Sequence, residues 1–226
     1  MSTTTAHETR RKTLPSPMAL SQAVSARYYA LACCTPGTLS CGSALDLAEP
    51  APGEVLVDLG CGSGKDVVRA AGRVGAGGLA VGVDLSEEML ARARRSVPPF
   101  LRNACFVASD LVPLELPDGC ADVIVSNCVI NHAPDKAAVY REIHRVLRPG
   151  GRFVVSDVIA EEELPDHVRA DPAAWAACYG GAIPEGDYLA AIRGAGFGEV
   201  EILERSEPYE KGGVTVLSLT VKGTKR

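Results

Sequence analysis

The sequence predicts an α/β protein built on a doubly wound, mostly parallel sheet. From residue 55 onward, five short apolar runs of strand length alternate with segments that have helical periodicity. Parallel strands need a crossover connection between them, and helices of this length supply it. The runs are apolar almost throughout, as expected for strands that are covered on both faces. The predicted strands span residues 55–58, 79–84, 104–109, 123–126 and 153–157.

Helices are predicted from their apolar spacing and from the residues that stop them. The helix before the fifth strand, for example, ends cleanly at the sequence Arg148-Pro149-Gly150-Gly151. A short helix is expected before the first strand and a longer one near the C-terminus. The predicted intervals are 43–48, 65–74, 86–95, 133–147 and 185–195.

The segments on either side of this core have a different character. Residues 15–31 carry helical spacing, with Ser16 as the predicted N-cap. After residue 160 come an acidic loop, a Trp-bearing segment at 171–179, and two runs at 199–204 and 214–221 that predict an antiparallel edge hairpin. The expected division is an N-terminal helical lid segment at 1–50, a core at 51–160, and a C-terminal substrate-side segment at 161–226 that completes the sheet.

Composition excludes several classes of protein. The 226 residues contain 23 Lys and Arg against 28 Asp and Glu, which gives a net charge of −5. The chain therefore has no excess of basic residues that would indicate binding to nucleic acid or to an anionic membrane. No apolar run approaches the roughly 18 residues of a membrane-spanning helix. The expected partner is a small molecule, and a monomer is compatible with the pattern, which does not fix the oligomeric state.

Eight cysteines are the unusual feature of the composition. They fall well below the roughly 8–10% cysteine of a disulfide scaffold. The N-terminal residues 1–13 are polar and show no apolar stretch of a signal peptide. We therefore expect a cytoplasmic protein in which several thiols are available for chemistry.

A glycine-rich loop closes the first predicted strand and opens the first helix, in Val57-Asp58-Leu59-Gly60-Cys61-Gly62-Ser63-Gly64. Its glycines permit a tight turn and a close approach to a ligand that faces the helix N–H groups. A dinucleotide fingerprint would need glycine where the chain has Lys65. The pattern instead resembles the first motif of class I S-adenosylmethionine-dependent methyltransferases, which implies a Rossmann-like fold and a loop around the methionine end of that cofactor. The cofactor-binding residues that it implies here are Asp58, Gly60, Cys61, Gly62 and Gly64.

Two acids at the ends of the next strands strengthen this interpretation. Asp84 ends the second strand, where a carboxylate can accept both ribose hydroxyls, and the resemblance places Asp110 against the adenine amine. Met89, on the following helix, is expected to cover the adenine face. Either acid alone would serve equally well as a helix or turn cap, but a loop and two acids at successive strand ends indicate a cofactor site. Leu85, Leu111 and Asn127 complete the predicted cofactor set.

The cysteines differ in the role that their positions predict. Cys105 lies within the third predicted strand and is expected in the core, whereas Cys120 in a turn and Cys61 in the glycine loop are expected to be incidental or small packing residues. Cys128 follows the fourth strand, at the edge where a substrate would meet a methyl donor. Cys178 lies beyond the core, in a segment that can fold over that edge.

Short motifs surround these two cysteines and are more specific than the glycine loop. They are Asn127-Cys128-Val129-Ile130-Asn131, Pro134-Asp135-Lys136, Glu163-Leu164-Pro165, and Trp175 with Cys178-Tyr179-Gly180-Gly181-Ala182. Over roughly residues 28–226 the chain resembles the arsenite S-adenosylmethionine methyltransferases, and its tail at 218–223 is similar to the closing strand of that family.

The resemblance implies a ligand set and a reaction. Cysteines that match Cys128 and Cys178 hold trivalent arsenic in that family, a third that matches Cys41 joins them, and Cys34, next to Cys33, resembles a further N-terminal cysteine. The chain departs from the family pattern at residues 38–44. The implied reaction is methylation of arsenite, methylarsenite or both, in arsenic detoxification, with a thiol reductant (glutathione or thioredoxin) as co-substrate.

The chemistry of arsenic agrees with such a ligand set. Trivalent arsenic is soft and prefers thiolates to carboxylates or imidazoles. Three thiolates leave its lone pair free to meet the sulfonium methyl in line, and no general base is needed because arsenic has no proton to lose. His132, which replaces a usually apolar residue, is expected to be solvated, with a role at the site as the alternative. Tyr28 and Tyr29 can either touch the cofactor or pack a helix face.

Two other functions fit parts of the sequence. A small-molecule C- or O-methyltransferase would share the cofactor half and would be favoured by an acid/base pair near Cys128. A protein that only binds metalloids would share the thiols. A structural zinc site is disfavoured, because the paired spacing of zinc ligands does not recur and only Cys33 and Cys34 are adjacent.

Overall fold

One mixed sheet forms the centre of the protein, which we describe from a computed structural model. The structure describes residues 14–16, 18–20, 22–24, 26–27 and 44–226. The strands are β1 Val55–Leu59, β2 Leu79–Asp84, β3 Ala104–Ala108, β4 Ala121–Asn127, β5 Leu147–Ala160, β6 Val200–Arg205, β7 Tyr209–Lys211 and β8 Val214–Thr224.

Helices connect these strands and flank the sheet. They are α1 Ala44–Ala48, α2 Lys65–Val74, α3 Glu87–Ser96, α4 Lys136–Val146, α5 Asp166–Arg169, α6 Pro172–Ala176 and α7 Glu185–Gly194, with a 3-10 turn at Ile130–His132. Residues 18–20, 22–24 and 26–27 are also helical, within the predicted N-terminal helix. In the described part of the chain, no helix is long and apolar enough to cross a membrane.

The strand order confirms the predicted doubly wound sheet. It runs β3-β2-β1-β4-β5-β8-β6, with β7 paired to β8. The strands from β3 to β5 are mutually parallel, and β8 runs antiparallel between β5 and β6. The chain moves outward on one side of β1 and then crosses to β4 on the other side, so the order reverses between β1 and β4. In open α/β sheets, ligands bind outside the carboxyl ends of the strands at such a reversal.

The two runs near the C-terminus, β6 and β8, pair antiparallel as expected, and of these two only β6 lies at an edge of the sheet. The eleven-residue strand β8 lies one position inside, between β5 and β6, and its apolar side chains pack into the cores on the faces of the sheet. Val216, Leu219 and Val221 are fully buried there. The short strand β7 has the sequence Tyr-Glu-Lys, and its polarity gives no sequence signal for a strand.

Each face of the sheet packs one hydrophobic core. On one face, α4 and α7 bury their apolar residues against β5, including Tyr140, Ile143 and Tyr188. The rings of Phe153 and Phe197 meet edge to face there, with their centroids 4.7 Å apart. On the other face, the buried residues come mainly from α1, α2 and the strand surfaces. The near-continuous apolar strands are therefore covered on both sides, as their composition predicts.

The position of Cys105 corrects one expectation. It lies in β3 but is exposed, although a place in the core was predicted from its strand environment. The reason is the topology: β3 is the edge strand of the sheet and pairs only with β2 among the described strands. The local sequence does not reveal which strand becomes the edge.

Replacing Phe153 with Ala should lower the free energy of unfolding by about 3–5 kcal/mol, because it removes a fully buried ring from the larger core. The matched control is Phe100→Ala, whose ring is 82% exposed. That change should stay within about 0.5 kcal/mol. Urea unfolding of the two variants measures the difference, and similar losses from both would contradict this description of the core.

Candidate active site

The glycine-rich loop lies at the carboxyl end of β1, where the strand order reverses. Its three glycines, Gly60, Gly62 and Gly64, have φ angles of 71°, 52° and 78°, in the left-handed region that favours glycine. A Cβ at Gly60 would lie 2.2 Å from the side chain of Val129, in the loop after β4. The loops after β1 and β4 therefore touch, and the close approach excludes any side chain at this position.

Asp84 anchors the glycine loop from the end of β2. Its Oδ2 accepts the N–H of Gly62 at 2.8 Å, and its Oδ1 accepts the N–H of Ser86 at 2.9 Å. A carboxylate has about four lone-pair sites, so each oxygen can still accept a ligand hydroxyl. Burial raises the pKa of this carboxyl. The geometry fits the predicted contact with two ribose hydroxyls.

Asp58 gives the side of the site formed by the glycine loop and Asp84, the cofactor half, a strong preference for a cation. The side chain is buried, and the pKa of its carboxyl is raised well above the usual value by burial and then by the nearby Asp66 and Asp84. On the adjacent parallel strand, Asn127 ends β4, and its buried Oδ1 has no hydrogen-bond partner among the described residues. Two buried acceptors in an acidic surrounding suit an ammonium or sulfonium ligand. S-adenosylmethionine carries both groups, so these residues fit it.

The remaining predicted cofactor residues lie along the ends of β2 and β3. Asp110 is exposed, and its Oδ1 accepts the N–H of Leu111 at 2.6 Å. Leu85 is 48% exposed, whereas Met89 on α3 is buried. The exposed Leu85 and the exposed carboxylate of Asp110 provide an apolar and a polar contact for a planar base that carries an amine. The structure thus brings the predicted adenine contacts to one edge of the sheet.

Cys61 belongs to the packing beneath the loop. Its Sγ occupies the space next to Gly82, where a Cβ would lie 2.7 Å away. Burial, followed by the charges of Asp58 and Asp84, strongly raises the pKa of this thiol. A thiol that stays protonated is a poor nucleophile and a poor ligand, so the chemistry of the site falls to other cysteines.

Cys128 and Cys178 lie in one buried apolar cluster. They are 2% and 6% exposed, and both have positive φ angles, 56° and 66°. Such a conformation costs an L-residue about 1–3 kcal/mol and persists only where the surroundings impose it. The N–H of Cys128 donates to the carbonyl of Ser156 on β5 at 2.8 Å. The segment after β5 thus folds over the sheet edge and brings Cys178 to the same cluster as Cys128.

The two cysteines differ in redox state in this structure. Cys128 is disulfide-bonded, whereas the other cysteines of the described part, Cys61, Cys105, Cys120 and Cys178, are thiols. No group of three His, Cys, Asp or Glu side chains that could hold a metal ion occurs among the residues described. Cys41, Cys33, Cys34, Tyr28 and Tyr29 lie outside the described residues.

His132 is not the solvated loop residue that was expected. Its Nε2 lies 3.6 Å from the Sγ of Cys178. Burial lowers the pKa of the imidazole to about 4, with a further contribution from Lys136, so the ring is neutral at neutral pH. The expectation failed because α6 lies against the 3-10 turn that carries His132. This contact joins residues 46 positions apart and leaves no local sequence signal.

A buried polar network lies below this turn, and the sequence has no local pattern that predicts it. The Tyr140 hydroxyl donates to that of Tyr188 at 2.8 Å, which in turn donates to Asp157 Oδ2 at 3.1 Å. The Nζ of Lys136 donates to the carbonyl of Ala133 at 2.9 Å and lies 5.5 Å from the Trp175 ring centroid. Burial raises the pKa of Asp157 and lowers that of Lys136, and the attraction between the two charges opposes both shifts.

The chain is similar to known methyltransferases. A family model described as a methyltransferase domain matches residues 50–211. The arsenite methyltransferase of Halobacterium salinarum is 40% identical over 173 residues, which cover 76% of this chain and 44% of that protein. The arsenite methyltransferase of Aquipseudomonas alcaligenes is 39% identical over 189 residues, which cover 80% and 51%. The chain spans about half the length of these curated relatives.

A solved structure is similar along most of the chain. It is an arsenic(III) S-adenosylmethionine methyltransferase from Chlamydomonas reinhardtii, with a TM-score of 0.72 and 30% sequence identity. The match covers 90% of this chain and 73% of that one. The cofactor half and the cysteine half of the site both lie within the matched family region.

S-adenosylmethionine should bind more weakly as the pH falls. In the free protein the pKa of Asp58 is raised, whereas a bound cation lowers it, so binding releases a proton. The affinity is then complete above the raised pKa and falls below it, by at most about tenfold per pH unit. Calorimetric titration from about pH 8 to about pH 5 measures this slope.

The variant Asp58→Asn should bind the cofactor weakly and lose most of that slope. Asp166→Asn, which changes a carboxylate whose side chain is 77% exposed on α5, should keep the original curve. An unchanged slope in Asp58→Asn would show that a different group carries the pH dependence.

Proposed function

The chain belongs to the arsenic(III) S-adenosylmethionine methyltransferases, within the wider methyltransferase domain family, and from that premise we propose that it transfers the methyl group of S-adenosylmethionine to thiolate-bound trivalent arsenic. The observation that carries the proposal is the pair of buried cysteines, Cys128 and Cys178, at the carboxyl edge of the sheet. The substrate would be arsenite, methylarsenite or both.

Thiols suit this substrate for a chemical reason. Trivalent arsenic is soft, and thiolate is the softest ligand that a protein offers. Each thiol that binds arsenious acid forms one As–S bond, and its proton leaves with a hydroxyl group as water. Cys128 and Cys178 supply two such bonds, and we assign Cys41 as the third ligand. The apolar residues around the pair keep bulk water away from the bound arsenical.

The two halves of the site would align the reactants. When bound, S-adenosylmethionine supplies a methyl group on a positive sulfur that leaves as a neutral thioether. The acidic half would hold its charged end through Asp58 and Asn127 and its ribose through Asp84. The complete proposed set is Asp58, Gly60, Cys61, Gly62, Gly64, Asp84, Leu85, Met89, Asp110, Leu111 and Asn127. Alignment of the arsenic lone pair with the methyl group could contribute about 7–11 kcal/mol at best.

A thiol reductant completes the proposed reaction. Methylation spends the arsenic lone pair in the new As–C bond, so a two-electron reduction is needed to return arsenic to the trivalent state. Glutathione or thioredoxin is the chemical class that we propose for this step. The disulfide at Cys128 gives the reductant a second task, because the thiol must be released before it can bind arsenic. Such a requirement suits the cytoplasm, where thiols are kept reduced.

Cys128→Ser and Cys178→Ser should each lower the rate of methylarsenical formation by at least about 100-fold, because a hydroxyl cannot replace a soft thiolate ligand. The assay is arsenic speciation after incubation with arsenite, S-adenosylmethionine and a thiol. Both variants should bind the cofactor as the parent does, since neither side chain belongs to the acidic half.

The matched controls are Cys105→Ser and Cys120→Ser, which make the same change outside the cluster. Both should retain the rate of the parent. If the parent formed no methylarsenical while it bound the cofactor and methylated a small organic acceptor, the arsenic substrate would be wrong.

A further inference from the structure

Asn131 connects the two loops that carry the cysteines, and it is the third residue after Cys128. We propose that Asn131 is a positioning residue that fixes the turn of Cys178 against the loop of Cys128, so that both thiols can hold one arsenical. This inference rests on the proposed function and adds one residue to the site proposed for it.

The side-chain amide of Asn131 makes the connection. Asn131 is fully buried. Its Nδ2 donates to the carbonyl of Cys178 at 3.2 Å and also to the carbonyl of Val158 on β5. The Oδ1 meets no donor within the described residues, so the two carbonyls determine the orientation of the amide. One group therefore joins the loop after β4, the strand β5 and the turn of Cys178.

The backbone N–H groups of the Cys178 turn form their hydrogen bonds within their own segment. The N–H groups of residues 177–180 donate to Ala173, Trp175 and Ala174, which all belong to the same segment. These bonds shape the turn but do not fix where it lies relative to Cys128. The bond from Asn131 ties the backbone of the turn to the loop of Cys128, across 47 positions of the chain. The 3.6 Å contact of His132 Nε2 with the Cys178 Sγ ties the side chain to the same loop.

Asn131 is itself held from two sides. On one side, its backbone N–H is close enough to the Asp157 carboxylate to oppose the rise in the pKa of that group, and the same carboxylate accepts the Tyr188 hydroxyl. On the opposite side, a Cβ at Gly181 would lie 2.0 Å from the Asn131 carbonyl oxygen, so the backbone of the Cys178 segment rests directly on Asn131. A residue fixed in this way transmits the rigidity of the core to the turn above it.

Loss of this amide should loosen the pair of thiols without removing either. A ligand that bridges two thiols gains affinity only if both stand at the correct separation, because the second bond then forms intramolecularly. Asn131→Ala leaves two buried carbonyls without their donor and releases the turn. Binding of a bridging ligand should therefore weaken, while binding of the cofactor should not.

Phenylarsine oxide is the probe, used with reduced protein that carries Cys33→Ser, Cys34→Ser and Cys41→Ser. Its arsenic forms two As–S bonds as two thiol protons leave with the oxygen as one water, so no redox change is involved. Titration is followed by the fluorescence of the single tryptophan, Trp175, near Cys178. Adding Cys178→Ser to this parent should abolish the response.

Asn131→Ala should weaken binding of phenylarsine oxide by about tenfold or more, as expected for the loss of two buried hydrogen bonds. The matched control is Asn103→Ala, whose Nδ2 also donates to two carbonyls, those of Ala71 and Gly75, at 2.9 and 2.7 Å. Asn103→Ala should change the affinity for phenylarsine oxide by no more than about twofold, although both variants lose two hydrogen bonds of the same kind. Calorimetry should show unchanged affinity for S-adenosylmethionine in both variants.

A glycine pair tests the same idea without touching Asn131. Gly181→Ala places a methyl group against the Asn131 carbonyl and should weaken binding of the probe similarly, whereas Gly186→Ala, in α7, meets nothing within 4 Å and should not. The proposal is overturned if Asn131→Ala and Gly181→Ala bind phenylarsine oxide as the parent does, or if the parent does not bind it. A different outcome separates the two proposals. If the parent binds phenylarsine oxide and both variants bind it more weakly, but the wild type makes no methylarsenical, then only the proposed methyl transfer fails.

Discussion

The reversal of strand order between β1 and β4 is the constraint on which the site depends. The chain leaves these adjacent parallel strands in opposite directions, so their loops separate and leave a crevice at the carboxyl edge. One loop carries the glycines, and the other carries Asn127 and Cys128. Contact between Gly60 and Val129 sets how closely the loops approach. Cofactor residues and a cysteine thus become neighbours through topology, although almost 70 positions separate them in the chain.

The cysteine half of the site depends on strain that its surroundings hold in place. Cys128 and Cys178 both occupy left-handed backbone conformations, and neither has a glycine's freedom to do so. A hydrogen bond to β5 fixes Cys128, and the amide of Asn131 holds the Cys178 turn. Asn131 also donates to the carbonyl of Val158 on β5, which ties it to the sheet. The rigid core is therefore continuous with the two cysteines, which is what a ligand that bridges both of them requires.

The sequence predicts the parts of this protein that local patterns encode. Apolar runs reveal the strands, and the glycine loop with Asp84 marks the crevice. What local patterns cannot encode is contact between distant segments: His132 was expected in solvent because the helix that covers it lies some 40 positions further along. Cys105 was expected in the core because nothing in a strand's own residues tells whether a neighbour will cover its outer side. Asn131 lies within a recognised motif, yet its partners become visible only in three dimensions.

The two halves of the crevice differ in physical character, and the difference matches the two reactants. Asp58 and Asp84 make one half acidic, which suits a cofactor with a positive sulfur and an ammonium group. Apolar side chains surround the two cysteines, which suits the neutral thiolate-bound arsenical that we propose as substrate. In the proposed transfer, the positive charge leaves sulfur with the methyl group and passes to arsenic until the reductant acts. An acidic surrounding therefore stabilises the sulfonium cofactor before transfer more than the neutral thioether sulfur after it. In the proposed reaction, the thioether would therefore leave the cofactor half more readily than the cofactor, while the methylated arsenical would remain bound until its thiolate bonds are exchanged.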